Sequence, residues 1–209
     1  MIEIKGLCKS YGNRILFDDF NLTIDDSDYI CISGDSGVGK TTLLNMIGQI
    51  ESYDGGEILF DGKGIVTKKD KLRLFRERIG FVFQNFLLVD DKTVEENLNF
   101  IRNSDRTTDD IVSVLAMLGL DDKKHSKIYT LSGGEQQRVA MARLYLKKCQ
   151  YILADEPTGS LDSKNADRIM EIFEDLNKKG KTIIIVTHDE QLKNRVPKRV
   201  NLNDLAKKA

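Results

Sequence analysis

Tyr29-Ile30-Cys31-Ile32-Ser33-Gly34-Asp35-Ser36-Gly37-Val38-Gly39-Lys40-Thr41-Thr42 is the stretch on which the reading of this 209-residue chain turns. An apolar β-favouring run leads through glycines into Lys40–Ile50, whose Leu43, Leu44 and Ile47 share one helical face. The turn fits G-x-x-x-x-G-K-[ST], opened by Gly34 and closed by Gly39-Lys40-Thr41. Gly34, Gly37 and Gly39 let the backbone curl, so that the N–H groups of Asp35, Ser36, Val38 and their neighbours face one centre and suit phosphate oxygens. The helix start at Thr41 and Thr42 adds unpaired donors and a positive dipole end. Lys40 supplies a point charge for β- and γ-phosphates, and the Thr41 hydroxyl is a hard oxygen for Mg²⁺. The dinucleotide pattern G-x-G-x-x-G is excluded, because it would need glycine in place of Ser36 or Thr42.

Outward from that turn, Ile2–Leu7, Leu16–Ile24 and Tyr29–Ser33 read as strands of an opening sheet, with Glu57–Phe60 and Ile79–Phe83 as further strands. Val94–Ile101, Asp109–Leu118 and Glu135–Lys147 read as helices, followed by strand Tyr151–Ala154, helix Ser163–Lys178 and strand Thr182–Val186. Strand–helix–strand order with continuous apolar strands predicts an α/β fold whose mostly parallel sheet is covered on both faces. The stretch from Phe83 to Tyr151 is too long for one crossover and predicts a helical lobe, over about 90–147, inserted into a single domain spanning 1–209.

Lys and Arg number 32 and Asp and Glu 33, a net charge of −1, which argues against nucleic acid or an anionic membrane held by bulk charge. Hydrophobic residues make up 40% and charged residues 31%, which fits a packed core and not a disordered chain. Cys8, Cys31 and Cys149 form no C-x-x-C pair, so they support neither a zinc site nor a disulfide framework and read as thiols of a reducing compartment. The N-terminal residues lack a signal-peptide pattern, and no apolar run approaches the ~20 residues of a membrane helix. The expectation is a cytoplasmic protein that reaches a membrane's inner face through a partner.

Tyr151-Ile152-Leu153-Ala154-Asp155-Glu156 is an apolar strand ending in acid, as a metal site at the carboxyl edge of a parallel sheet requires. Asp155 would hold Mg²⁺, through water, opposite Thr41, and Glu156 would polarise an attacking water. Alone, such an ending reads first as a solvated strand end; the phosphate loop upstream turns the balance to the catalytic pair. In Leu131-Ser132-Gly133-Gly134-Glu135, Ser132 with Glu135 is a capping-box pattern that satisfies helix-start donors locally. The two glycines between them also open the backbone to an approaching anion. The residues alone leave both readings open.

Phosphate loop, Leu131–Glu135 and Ile152–Glu156, in this order, resemble the ATP-binding subunit of ABC transporters over roughly Ile2 to Asp189. The resemblance implies a P-loop NTPase fold in which an antiparallel β subdomain near the N-terminus accompanies the parallel sheet and the helical lobe. It implies an ATPase with ATP and Mg²⁺ as ligands. Tyr11, in Lys9-Ser10-Tyr11-Gly12, resembles the aromatic that stacks on adenine. Gln84, after Gly80-Phe81-Val82-Phe83, resembles the glutamine that senses both Mg²⁺ and the membrane partner, and so joins Thr41 and Asp155 at the metal. His188, in Val186-Thr187-His188-Asp189, resembles the histidine that contacts the γ-phosphate beside the catalytic Glu156. Ser160-Leu161-Asp162 resembles the dimer-contact loop. The resemblance implies that Ser132, Gly133, Gly134 and Glu135 of a second copy close over the γ-phosphate, with Asp162 of the dimer-contact loop also at the nucleotide, and hence an ATP-dependent homodimer working with a multispan membrane permease and no nucleic acid.

Ser132–Arg143 and Asp155–Asp162 are similar to lipoprotein-release, macrolide-export and bacteriocin-export ATPases, which implies export of a peptide, antimicrobial or lipoprotein. A non-transport ABC ATPase that regulates a membrane partner, as in cell division or wall hydrolysis, shares every ATP motif and is the alternative. Beyond His188 the family's usual strand and Gly-rich turn are replaced by Arg195-Val196-Pro197-Lys198-Arg199-Val200, and the basic run from Lys193 to Lys208 reads as solvated surface. Asn85-Phe86-Leu87-Leu88-Val89 reads either as a buried hinge or as part of a groove for a short permease helix; the second reading expects Phe86 and Leu87 to be partly exposed.

Overall fold

β1 (Ile2–Tyr11) and β2 (Arg14–Ile24) form a hairpin closed by Gly12-Asn13, with Tyr11 paired to Arg14. Alternation along β1 turns Ile2, Ile4 and Leu7 inward. β3 (Tyr29–Ser33) then runs into α1 (Lys40–Ile47), and β4 (Gly55–Phe60) and β5 (Lys63–Gly64) return to the first sheet. α2 (Lys68–Arg73) continues as a π-helical turn, Leu74–Arg78, into β6 (Ile79–Val82). Three helices follow, α3 (Val94–Asn99), α4 (Ile111–Met117) and α5 (Gly133–Leu146). The chain ends in β7 (Tyr151–Asp155), α6 (Ser163–Lys178), β8 (Thr182–Val186), α7 (Glu190–Arg195), β9 (Lys198–Asn201) and α8 (Leu202–Ala206). The computed structural model describes residues 1–83, 85–159 and 161–206.

Two sheets organise these elements. One is antiparallel in the order β2-β1-β4-β5; the other is parallel in the order β6-β7-β8-β3-β9. The fold is the expected α/β P-loop NTPase architecture. Because successive strand residues point to opposite faces, the parallel sheet separates two apolar cores. Ile184, Val186, Ile30 and Leu153 pack with α1 and the antiparallel sheet, whereas Ile183, Ile185, Cys31 and Ile152 pack with α5, α6 and the lobe helices.

Several expectations need correction. Tyr29–Ser33 does not join the opening antiparallel sheet; it lies inside the parallel one, as its burial on both faces demands. The lobe's three α-helices, of which α3 and α4 are shorter than expected, are separated by 3₁₀ turns and loops. The run after Pro197, read as a replacement for a strand, itself forms β9 beside β3. It went unread because only one of its faces is buried and its residues are basic. Among the described residues of that basic run, Arg195 bonds Asp167 and Glu174, Lys193 bonds Glu190 and Lys198 bonds Asp28.

Candidate functional site

β3 delivers the phosphate loop to the carboxyl edge of the parallel sheet. Gly39 takes φ +105°, and a Cβ there would stand 2.9 Å from Leu16 and Phe17 of the hairpin. A Cβ on Gly34, at φ +151°, would stand 2.8 Å from Val38. Both positions need glycine for the loop to curl under the hairpin. Lys40 Nζ donates to the carbonyls of Gly34 and Asp35 at 2.8 and 2.9 Å, which sets the ammonium at the loop's mouth. Asp35, Ser36, Gly37 and Val38 form the intervening turn, and Thr42 continues α1.

β7 and β8 bring the acids to the same edge. Thr41 Oγ1 donates to Asp155 Oδ1 at 3.2 Å. Burial pushes the Asp155 carboxyl above the usual aspartate range, the Thr41 hydrogen bond opposes this, and the neighbouring Glu156 charge adds to it. Glu156 stands at φ +45°, its own N–H bonded to the Val186 carbonyl at 2.9 Å. Oε2 accepts from the Thr187 hydroxyl at 2.8 Å; Oε1 accepts from the His188 N–H at 3.0 Å and lies 2.6 Å from His188 Nδ1. The carboxylate is therefore held by the segment that leaves β8.

A cleft of about 670 Å³ unites these groups; its lining includes Tyr11, Ser36, Gly37, Gly39, Lys40, Thr41, Thr42, Glu156 and His188. Tyr11, about half exposed at the hairpin tip, has its hydroxyl on Glu51 and the Lys9 ammonium 4.8 Å from its ring centre. Arg14 also lines the cleft and donates to the Gly37 carbonyl at 2.6 Å. It carried no motif signal; only the hairpin geometry brings it across. Among the described residues no three His, Cys, Asp or Glu side chains gather as a metal cage. The Thr41–Asp155 pair instead offers hard oxygens to a cation that draws its other ligands from phosphate and water. Gln84 and Ser160 lie outside the described residues.

Ser132, Gly133, Gly134, Glu135 and Asp162 do not line this cleft. Ser132 caps α5 in a complete capping box with Glu135, and Ser132 and Gly133 are exposed. The Ser132 N–H and hydroxyl, both on the Glu135 carboxylate at 2.8 Å, hold it below the usual glutamate range. Asp162 caps α6. Asn165 ties the two starts together, bonding Asp162 at 2.8 Å and accepting from Arg138 of α5 at 3.0 Å. A Cβ on Gly134 would stand 2.9 Å from Asn165, so that glycine lets the helices approach. Buried Gln137, unremarked in the sequence, donates to the Pro157 carbonyl next to Glu156 at 2.6 Å.

A second groove, of about 440 Å³, opens between β6, the C-terminal end of α5 and the lobe, with Phe75, Phe81, Phe83, Leu87 and Phe100 among its walls. Leu87 is 53% exposed and Phe86 half-buried, as the groove reading expects. Both take left-handed conformations, at φ +47° and +59°. Among the described residues no helix is long and apolar enough to cross a membrane.

Residues 17–159 match the model of the ABC transporter family. The chain is 39% identical to the lipoprotein-releasing system ATP-binding protein LolD of Bacteroides thetaiotaomicron, over 98% of this chain and 97% of that protein. It is 36% identical to the macrolide export ATP-binding/permease protein MacB of Campylobacter jejuni, over 98% of this chain but only 33% of that protein. The chain thus spans about a third of the length of its macrolide-export relatives. The dimeric ATP-binding cassette MJ0796, solved in a post-hydrolysis state with ADP and Pi, superposes with a TM-score of 0.83 at 34% identity, over 96% of this chain and 94% of that one.

Proposed function

Because the chain belongs to the ABC transporter family, we propose that it is the ATP-hydrolysing unit of an exporter, one nucleotide-binding domain over 1–209 with its helical lobe at about 90–147. The observation that carries this reading is the hold on Glu156 by Thr187 and His188, beside the Thr41–Asp155 pair and above the phosphate loop. ATP enters the cleft with its adenine against Tyr11 and its phosphates on the loop N–H groups and Lys40. Thr41 and Asp155, with Gln84 as the family resemblance implies, would hold Mg²⁺, which would supply charge neutralisation to the phosphate oxygens. Glu156 accepts a proton from water as that water's oxygen attacks the γ-phosphorus and the bond to ADP breaks; His188 keeps the carboxylate aimed and faces the γ-phosphate.

The exposed Ser132–Gly133 start of α5 and its tie to Asp162 support a head-to-tail homodimer, in which this surface of one copy closes the nucleotide cleft of the other. The solved dimer of MJ0796 with ADP and Pi at 34% identity supports pairing of two copies. The groove beside Leu87 then receives a short helix of a membrane permease, which would place the protein at the membrane's inner face. The LolD and MacB likeness supports export of a lipoprotein, peptide or antimicrobial. The test is Glu156→Gln, which keeps the shape but cannot take the proton. ATP binding should persist while hydrolysis falls about 10²–10⁴-fold; turnover at the parent rate would remove Glu156 from this role.

A further inference from the structure

The Leu87 groove has an electrostatic character that its apolar walls do not explain. Among the described residues Arg76, Arg102, Arg143 and Lys147 line it against a single carboxylate, Asp105, a local net of +3 in a chain whose overall charge is −1. Two of these cations hold the walls. Arg143 donates to the carbonyls of Phe86 and Leu87, the second at 2.7 Å, and Lys147 donates to those of Phe75 and Ile79, each at 2.6 Å. Neither has a carboxylate partner among the described residues, and burial pushes both below their ordinary ranges, Arg143 to about 10. Arg76 and Arg102 make no ion pair or side-chain hydrogen bond among the described residues. They stand on opposite sides, Arg76 on the π-helical turn before β6 and Arg102 after α3 in the lobe, and both also line an adjoining polar recess with Lys148 and the carboxylates of Glu77 and Asp105, neither of which bonds to them.

We propose that the permease segment received by this groove is an amphipathic helix whose inward face sets a carboxylate among apolar side chains, and that Arg76 and Arg102 recognise that carboxylate from the two walls. This rests on the reading of the groove as the permease dock. An apolar ridge alone would cover Arg76 and Arg102 without giving them a partner, and desolvating unpaired cations opposes binding. An acid on the ridge reverses that balance and steers approach. A concave aromatic floor fits a side-chain ridge better than a flat lipid headgroup layer. One carboxylate bridging Arg76 and Arg102 would also tie the lobe to the sheet domain, so docking would restrict their relative movement.

The experiment is display selection of a randomised amphipathic-helix library on the full chain, with selected peptides counter-screened against Leu87→Glu to keep groove binders only. The parent should enrich Asp or Glu at one inward position, and the Arg76→Glu/Arg102→Glu variant should enrich Lys or Arg there instead. A selected acidic peptide should lose affinity about tenfold or more on that charge reversal. The variant's thermal unfolding midpoint, matched to the parent, controls for folding. Groove binders with no charge preference, or the same preference in the variant, would overturn the proposal while leaving the dock in place. An absence of any Leu87-dependent binder would overturn the dock itself. Sedimentation with phosphatidylglycerol vesicles that is lost in the charge-reversed variant, with no acidic peptide enriched, would assign the arginines to lipid and also overturn it.

Discussion

Glu156 combines a left-handed backbone with three hydrogen-bonded contacts to residues 187–188, a combination that costs roughly 1–3 kcal/mol of backbone strain and aims one carboxylate. Thr187→Val keeps the buried shape but removes the Oε2 anchor. We expect kcat to fall about tenfold with the KM for ATP little changed, in steady-state assays; an unchanged kcat would mean that His188 alone holds the acid. Lys40→Ala removes the cation at the loop mouth, so titration with a fluorescent ATP analogue should show most of the affinity gone. Motifs named Lys40, Thr41, Asp155 and Glu156 because their spacing along the chain carries their chemistry. Arg14 and Thr187 had no such signal: Arg14 reaches Gly37 only through the hairpin, and Thr187 reaches Glu156 only because β8 lies beside β7.

α5 shows at the scale of an element how one motif serves two roles. The capping box of Ser132 and Glu135 is complete, so the local reading of these residues holds, and Ser132 and Gly133 still lie exposed where a second copy could meet them. The two readings did not exclude each other. The Glu135 carboxyl sits below its ordinary 4.5, so its contribution is fully present above pH 4.5 and is lost as the pH falls through the lower folded-state value. Glu135→Ala should therefore be less stable than the parent at pH 7 by about 0.3–1.5 kcal/mol in urea unfolding. The gap should close as the medium is acidified below pH 4.5; a gap that stays constant would detach it from this carboxylate. Strong apolar periodicity made α6 and β8 legible to the residue. α2 buries nothing and was missed, although Thr67 and Asp70 cap it in the same manner as Ser132 and Glu135.

For the whole molecule, Ser132 and Asp162 lie outside the chain's own cleft, and the proposed clamp therefore needs two copies to complete a site. Glu156→Gln with saturating ATP and Mg²⁺ should elute as a dimer in size-exclusion chromatography; monomer alone would count against the clamp. Ser132→Arg should bind ATP yet hydrolyse almost none. Mixed with Lys40→Ala it should regain activity if one intact composite site suffices. Strand–helix alternation made the parallel sheet legible, but its strand order was not, because order is decided by pairings between distant segments. Those pairings have a consequence in time. β3, which carries the phosphate loop, takes both its neighbours from far downstream, Tyr29 beside Ile183 and Ile30 beside Lys198. A ribosome making this chain therefore releases the loop well before its supports, while the β1–β2 hairpin can form at once. Closing so long a span is slow compared with local pairing. A nascent chain stalled before β8 has emerged should leave ATP unbound, so nucleotide capture in the cell waits on the arrival of β8 and β9.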